Sequence, residues 1–132
     1  MDSTSIELPG SQIAAVVVDG ETVRIRFEPA YLVKTMTGSV ERTRWSQNGT
    51  LVFDGAELDS DDPLPALPAI CSGGDVGENI YTYRDMVPVP LASHGRAHCA
   101  LKVGKGLIRV QASSVRLEMD DVPRYIEHLR PA

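Results

Sequence analysis

Apolar and polar residues alternate along several short runs of this chain, and such alternation is typical of β-strands that bury one face. The runs are rich in β-branched residues and are separated by Gly, Asn and Pro, which favour turns. Three dipeptides are typical of two-residue hairpin turns: Asp19-Gly20, Asn48-Gly49 and Lys105-Gly106. The pattern therefore predicts a mainly antiparallel β fold.

The hairpin around Lys105-Gly106 separates most clearly into two faces. A turn at these two residues places Val103 opposite Ile108 on an apolar face. The same turn places Lys102 opposite Arg109 on a polar face. A shift of one residue would mix the two faces, so the alternation favours this register.

The other two turns predict registers in the same way. Asp19-Gly20 separates the faces nearly as well, whereas both faces are mixed around Asn48-Gly49. The predicted partners are Val16 with Val23, Ala14 with Ile25 and Gln12 with Phe27 in the first hairpin, and Trp45 with Val52 and Arg44 with Phe53 in the second.

Two segments near the C-terminus depart from simple alternation. The apolar positions change from even to odd numbers after Ala112, which predicts a β-bulge near Ser113-Ser114. Residues 122–129 have apolar positions at i, i+4 and i+7, with Asp121 as a candidate N-cap. This last segment is predicted to be either a short helix or a final strand.

Residues 59–78 contain three prolines and three glycines without alternation, and they predict a long irregular loop. Residues 80–86 and 87–93 are predicted to form two further short strands. Pro88 and Pro90 place the second of these at a sheet edge, because proline cannot donate to a strand ladder.

These elements predict an all-β chain, or a mainly β chain with one short C-terminal helix. The expected architecture is an antiparallel β-sandwich or a partly closed barrel of about seven to nine strands. With 132 residues, 42% of them hydrophobic, the chain has the size of a single domain spanning residues 1–132.

Charge and hydropathy narrow the range of partners. Thirteen basic and 18 acidic residues give a net charge of −5, which argues against binding to nucleic acid or to an anionic membrane. The longest apolar run, residues 13–18, is far shorter than the roughly 20 residues of a membrane-spanning helix. The N-terminal residues lack the basic and apolar regions of a secretory signal, so a cytoplasmic location is predicted.

The cysteines and histidines do not form a recognisable site. Cys71 and Cys99 are predicted to be free thiols, Cys99 in the core and Cys71 exposed in the glycine-rich loop. His94 and His98 would share a strand face but lie about 13 Å apart, too far for one metal ion. With no catalytic or cofactor motif in the sequence either, we assign no catalytic, cofactor-binding or metal-binding residues and expect no cofactor.

One charged surface departs from this pattern. Arg24, Arg26, Lys102 and Arg109, together with His98, fall on the polar faces of the two clearest hairpins. They predict either a basic face for an anionic ligand or acidic partner, or cations that are neutralised by Asp and Glu of neighbouring segments.

The order of motifs along the chain resembles that of small uncharacterised bacterial β-rich proteins. The motifs are the Asp-Gly hairpin at 16–25, the Leu-Val-Phe-Asp-Gly-Ala run at 51–56, and the closing runs at 115–119 and 123–127. The resemblance implies a bacterial single-domain protein and assigns no activity and no site residues.

The leading functional prediction is a non-enzymatic interaction or accessory module that acts through a protein partner or a homodimer. One alternative is a β-barrel that binds a small ligand, which would need an internal cavity. The other is an enzyme with a loop-borne site near Cys71 or His94, where a cysteine, a histidine and a carboxylate would have to converge.

Overall fold

A computed structural model describes residues 2–38, 40–59 and 63–129, and its regular structure is entirely β. Within these residues there are eleven strands and no helix. The prediction of an all-β antiparallel fold is therefore confirmed, with somewhat more strands than expected. The strands are β1 (Ser3–Glu7), β2 (Gln12–Asp19), β3 (Thr22–Thr35), β4 (Arg42–Asp54), β5 (Glu57–Leu58), β6 (Ala69–Glu78), β7 (Tyr81–Arg84), β8 (Met86–Val89), β9 (Ala92–Val103), β10 (Gly106–Met119) and β11 (Arg124–Leu129).

Six strands close into an antiparallel barrel in the order β2-β3-β4-β10-β9-β6, with β6 returning to β2. The last contact is short, because β2 and β6 pair only at Gln12 with Ile70 and Ile13 with Ala69. The other five strands lie outside the barrel: β1 pairs with β3 and β8, β11 with β4, β5 with β10, and β7 with β6.

The strands β3 and β4 are long enough to belong to two layers. Their first shared part forms one wall of the barrel, and the rest of β3 and the start of β4 join β1, β8 and β11 in a sheet extension. The register between β3 and β4 shifts between Phe27 and Ala30. At this shift the buried positions of β3 change from odd numbers, such as Phe27, to even numbers, such as Leu32. The apolar side chains of β3 therefore face the core both in the barrel and in the sheet extension.

Apolar side chains from the barrel and the extension meet in one core. The largest fully buried side chains are those of Ile6, Leu8, Ile13, Val23, Ile25, Phe27, Leu32, Leu51, Val52, Phe53, Leu101 and Ile108. The described residues contain no helix with the length and apolar character that a membrane span requires.

The two clearest hairpins are present, but both predicted registers are wrong by two residues. One turn lies at Gly104-Lys105, one residue before the predicted Lys105-Gly106. The other lies at Gly20-Glu21, one residue after the predicted Asp19-Gly20. In both turns the first residue is a glycine with positive φ, 57° at Gly104 and 60° at Gly20, a conformation that glycine adopts without steric cost.

Between the turns and the bulges, a shift of two residues leaves each side chain on its predicted face but changes its partner. Lys102 therefore lies opposite Leu107, and the predicted pair of like charges with Arg109 is wrong. In the other hairpin, Val16 lies opposite Ile25, and Ala14 is the extra residue at a bulge. Beyond the bulge at Ala14 the faces of β2 exchange, so Ile13 instead of Gln12 lies opposite Phe27 and is buried.

The predicted turn at Asn48-Gly49 is wrong, because both residues lie inside β4. Gly49 pairs with Phe27 on one side and Met119 on the other. A Cβ atom at Gly49 would lie 2.5 Å from the sulfur of Met119. A side chain at this position would displace the end of Met119 and would press on the carbonyl oxygen of Glu118, 3.2 Å from the added Cβ atom. The predicted partners of Trp45 and Arg44 do not form.

The predicted long loop at 59–78 is wrong in its second half, which forms β6. The glycines that suggested a loop instead allow β6 to approach β9. Gly73 follows a bulge in β6, and a Cβ atom at Gly74 would lie 2.2 Å from the carbonyl oxygen of Ala100. The irregular part is limited to Asp59 and residues 63–68, with 60–62 outside the described residues.

The remaining local predictions agree with the structure. The register of β9 and β10 shifts between Ala112 and Ser114, where the bulge was predicted. The two short strands form as β7 and β8, and β8 is at an edge of the sheet. The C-terminal segment takes the second of its two predicted forms, a final strand.

If the β6 glycines are required for barrel closure, Gly74→Ala will be much more destabilising than a glycine substitution at an open site. We expect Gly74→Ala to lower the free energy of unfolding by about 3 kcal/mol or more, because the new Cβ meets backbone at a φ of 146°. Gly38→Ala is the control, since its φ is 78° but no atom lies within 4 Å, and we expect a loss of about 1 kcal/mol. Equal losses in urea unfolding would contradict this account of β6.

Candidate functional site

The five residues of the predicted basic face lie on the outside of the barrel but on two separate surfaces. Arg24 and Arg26 are on β3, whereas His98, Lys102 and Arg109 are on β9 and β10. Since β4 lies between β3 and β10, the structure does not join all five into one face.

On the first surface, Arg26 is neutralised by nearby acidic groups, whereas Arg24 forms no ion pair with any described residue. Arg26 forms ion pairs with Glu28 at 2.8 Å and with Asp120 at 2.5 Å, and it donates a hydrogen bond to Thr50. The bond from Arg26 holds the pKa of Asp120 below its ordinary value. This half of the predicted face is a stabilising charge network.

Asp54 of β4 forms a second set of charge contacts, which connects β3 with β10. Its carboxylate accepts hydrogen bonds from the Thr22 hydroxyl at 2.9 Å and from Arg116 at 2.5 Å. These two bonds, with that of Thr22 the larger effect, hold the pKa of Asp54 below its ordinary value. Val52 pairs with Arg24 and Arg116 and is fully buried, so long cationic side chains shield an apolar residue on the outer surface.

The second surface is different, because its cations have no ion-pair partners within residues 2–38, 40–59 and 63–129. From Ala97 to Val103, the odd-numbered residues of β9 are buried and the even-numbered residues point outward. Arg96, one residue earlier, is exposed as well. Arg96 therefore joins His98 and Lys102 on the outer side, with Arg109 on β10. We call the surface formed by Arg96, His98, Lys102, Lys105 and Arg109 the basic hairpin face.

Among the residues that the structure describes, no carboxylate lies within ion-pair distance of Arg96, Lys102, Lys105 or Arg109. By contrast, Arg26, Arg44, Arg84 and Arg116 all form ion pairs. Sequence reasoning missed Arg96 and Lys105. The parity that placed His98 on the polar face would also have placed Arg96 there.

Two depressions lie along the basic hairpin face. The larger has a volume of about 880 Å³ and is lined by Arg96, His98 and Arg109, and also by Glu57 and Asp59 of the segment that pairs with β10. Both signs of charge are therefore presented to a molecule bound there.

The second depression, of about 700 Å³, lies near the hairpin turn. Lys102 and Lys105 line it together with Leu107 and the proline-rich residues 63–66. Pro65 packs on the backbone at Gly106, where an added Cβ atom would lie 3.0 Å from the proline ring. The proline-rich segment is thus packed against the hairpin and borders this depression.

Local contacts fix the geometry of the larger depression. The His98 ring lies against Gly77, where an added Cβ atom would be 2.0 Å from the imidazole. Asn79 donates its backbone N–H to the carbonyl of Arg96 at 2.7 Å, and its side chain donates to the carbonyl of His94. These bonds tie the β6–β7 turn to the start of the basic hairpin face.

The two cysteines do not contribute to a surface site. Cys99 is in the core as predicted, but the prediction of an exposed Cys71 is wrong, since its side chain is fully buried in the same core. Both thiols are free. Burial raises the pKa of Cys71 and raises that of Cys99 to about 12, which opposes formation of the reactive thiolate.

The alternatives to an interaction module also find little geometric support. Cys71 is inside the barrel whereas His94 is exposed, so the proposed loop-borne catalytic site is not assembled. Within the described ranges, no group of three or more His, Cys, Asp or Glu residues is arranged to hold a metal ion. Barrels of about eight strands are just wide enough to be filled by side chains, and this barrel of six is packed with apolar ones.

Comparison of the chain with protein-family models, with curated proteins and with solved structures gives no match. The assignment of a function therefore depends on the surface geometry described above.

The buried Cys99 thiol has a consequence for stability in alkaline solution. An unfolded thiol loses its proton near its ordinary pKa of 9.0, whereas the folded one keeps it to about 12. Above pH 9 the unfolded state binds fewer protons, so the contribution of Cys99 to stability, complete below that pH, is lost as the pH rises towards 12. The slope contributed by one such group is at most about 1.4 kcal/mol per pH unit.

We expect urea unfolding of the wild type to become easier from pH 9 upward and the Cys99→Ala variant to show a shallower decline. Other titrating groups are common to both proteins, so the difference between the two profiles is the measured quantity. Parallel profiles would show that Cys99 does not keep its proton in the folded state.

Proposed function

We propose that this protein is a non-enzymatic binding module whose basic hairpin face holds an acidic segment of a protein partner. The observation that carries the proposal is the set of four cations, Arg96, Lys102, Lys105 and Arg109, that have no ion-pair partner among the described residues. Like charges that share one face of a hairpin repel each other unless acidic groups approach them.

The distribution of charge over the molecule supports an acidic partner. The chain has a net charge of −5, so a cluster of cations without ion pairs in the described part of the chain is a local exception. Such a patch attracts an acidic segment selectively and speeds its association, while the rest of the surface repels it. Four arginines elsewhere, Arg26, Arg44, Arg84 and Arg116, are already neutralised within the chain.

The shape of the surface supports an extended peptide. Two open depressions of about 880 and 700 Å³ lie along the same hairpin, one mainly polar and one bordered by Leu107 and Pro65. Small-molecule sites usually enclose most of their ligand, which open depressions do not do. The net charge of −5 disfavours a nucleic acid, whose long phosphate array would extend over the acidic surface beyond the basic hairpin face.

The proposal keeps the predicted setting, the cytoplasm of a bacterial cell. Two free thiols, Cys71 and Cys99, are consistent with a reducing compartment. The expected complex is a weak and salt-sensitive one, because charge pairs at an exposed surface contribute little each and are screened by salt.

The test is fluorescence anisotropy with a labelled peptide of alternating Glu and Val. The double variant Arg96→Gln/Arg109→Gln is expected to raise the dissociation constant about tenfold, as two exposed charge contacts of roughly 0.7 kcal/mol each would give. The matched control is Arg42→Gln/Arg124→Gln, two exposed arginines on β4 and β11 that also lack ion pairs in the described part of the chain.

We expect the control variant to bind the peptide as tightly as the wild type does. Added salt should weaken the binding of the peptide to the wild type and to the control. Equal affinities of the two double variants, or equal binding of a peptide in which Lys replaces Glu, would overturn the proposal.

A further inference from the structure

The strand β2 has a free edge for most of its length. Ala15 to Asp19 pair with β3 on one side. On the other side β2 pairs with β6 only at Gln12 and Ile13. Among the described residues, no backbone hydrogen bond reaches the outer edge of residues 15–19.

The free edge of β2 lacks the features that normally prevent strand addition. Proteins protect such edges with prolines, charges or bulges. The edge strand β8 contains Pro88, and β11 carries Arg124 and Glu127 and has a register shift beside Ile126. Residues 15–18 of β2 are Ala-Val-Val-Val, beyond the bulge at Ala14 and with no charge before Asp19.

Exposure and hydrogen-bond geometry make this edge available. Val17 and Val18 are 50% and 53% exposed. Asp19 and Thr22 flank a two-residue turn, and such flanking residues bond to each other across the hairpin. Bonding alternates along an antiparallel strand, so Val17 also bonds to β3, whereas Val16 and Val18 point their N–H and C=O groups to the free edge.

We propose that this edge is a homodimer interface, in which β2 of a second copy of this chain adds antiparallel to β2 with Val17 on the two-fold axis. This inference is independent of the basic hairpin face. In this register Val16 lies opposite the partner's Val18 and Val18 opposite the partner's Val16. Their free backbone groups form four hydrogen bonds, and valine packs on valine throughout.

Charge complementarity favours a second copy over an unrelated strand. Asp19 and Arg24 have no ion-pair partner among the described residues. The register places the partner's Asp19 opposite Ala15, which itself lies opposite Arg26. Arg26 is already bonded to Glu28 and Asp120, whereas Arg24, on the same face of β3, is available to the added carboxylate.

The size of the contact sets the expected strength. Stable dimers bury about 1,200–2,000 Å² in total, and two five-residue strand edges bury less than that. The dimer is therefore expected to be weak and concentration-dependent, detectable at high micromolar concentration.

The test is sedimentation equilibrium of the full chain over a concentration series. Val17→Lys places two like charges on the two-fold axis, and we expect it to raise the dimer dissociation constant at least about tenfold. Val17→Glu should do the same, and an equimolar mixture of the two variants should dimerise again, because opposite charges then meet. Ile80→Lys is the matched control, since Ile80 is 89% exposed on the β6–β7 turn, and it should dimerise as the wild type does.

Hydrogen exchange of the wild type provides a second readout that needs no variant. The amides of Val16 and Val18 should become protected as concentration rises, whereas that of Val17 should be protected at all concentrations. A monomeric wild type throughout the series, equal effects of Val17→Lys and Ile80→Lys, or a mixture that stays monomeric would each overturn the proposal.

Discussion

The barrel closes through the close approach of β6 to β9. This approach places β6 between β9 and β2, although the final contact with β2 spans only two residue pairs. The approach requires glycine where a side chain would meet the neighbouring backbone, above all at Gly74 beside Ala100. It also places Gly77 of β6 beside His98 of β9, so the His98 ring of the basic hairpin face lies against this glycine.

Much of the fold follows from alternation, and the errors have a common physical origin. Parity placed Val103, Ile108 and their neighbours on the correct faces because side-chain direction has a period of two. Parity does not determine which residues lie opposite each other. That depends on which residue of the turn adopts a positive φ, and in the β9–β10 hairpin this residue is Gly104 instead of Gly106. The sequence does not show what Gly49 and Gly74 contact, because their neighbours Met119 and Ala100 are distant in the chain.

The candidate site shows the same division between local and long-range information. Lys102 and Arg109 were placed on one face by alternation alone, although not as direct partners. The neutralisation of Arg26 by Asp120 was beyond prediction, because the two residues are 94 positions apart. Whether a cation is paired therefore depends on the closed barrel, and that distinction separates the stabilising charge network on β3 from the basic hairpin face.

The long hairpin of β3 and β4 also determines how the molecule can be divided. Its two strands run without interruption from the barrel wall into the sheet extension, and only the register shift between Phe27 and Ala30 marks the passage. A cut at this level would break both strands of one hairpin and remove a wall from each layer. The sheet extension is therefore not a separable appendage, and a fragment lacking it would expose Phe27 and the barrel core to water.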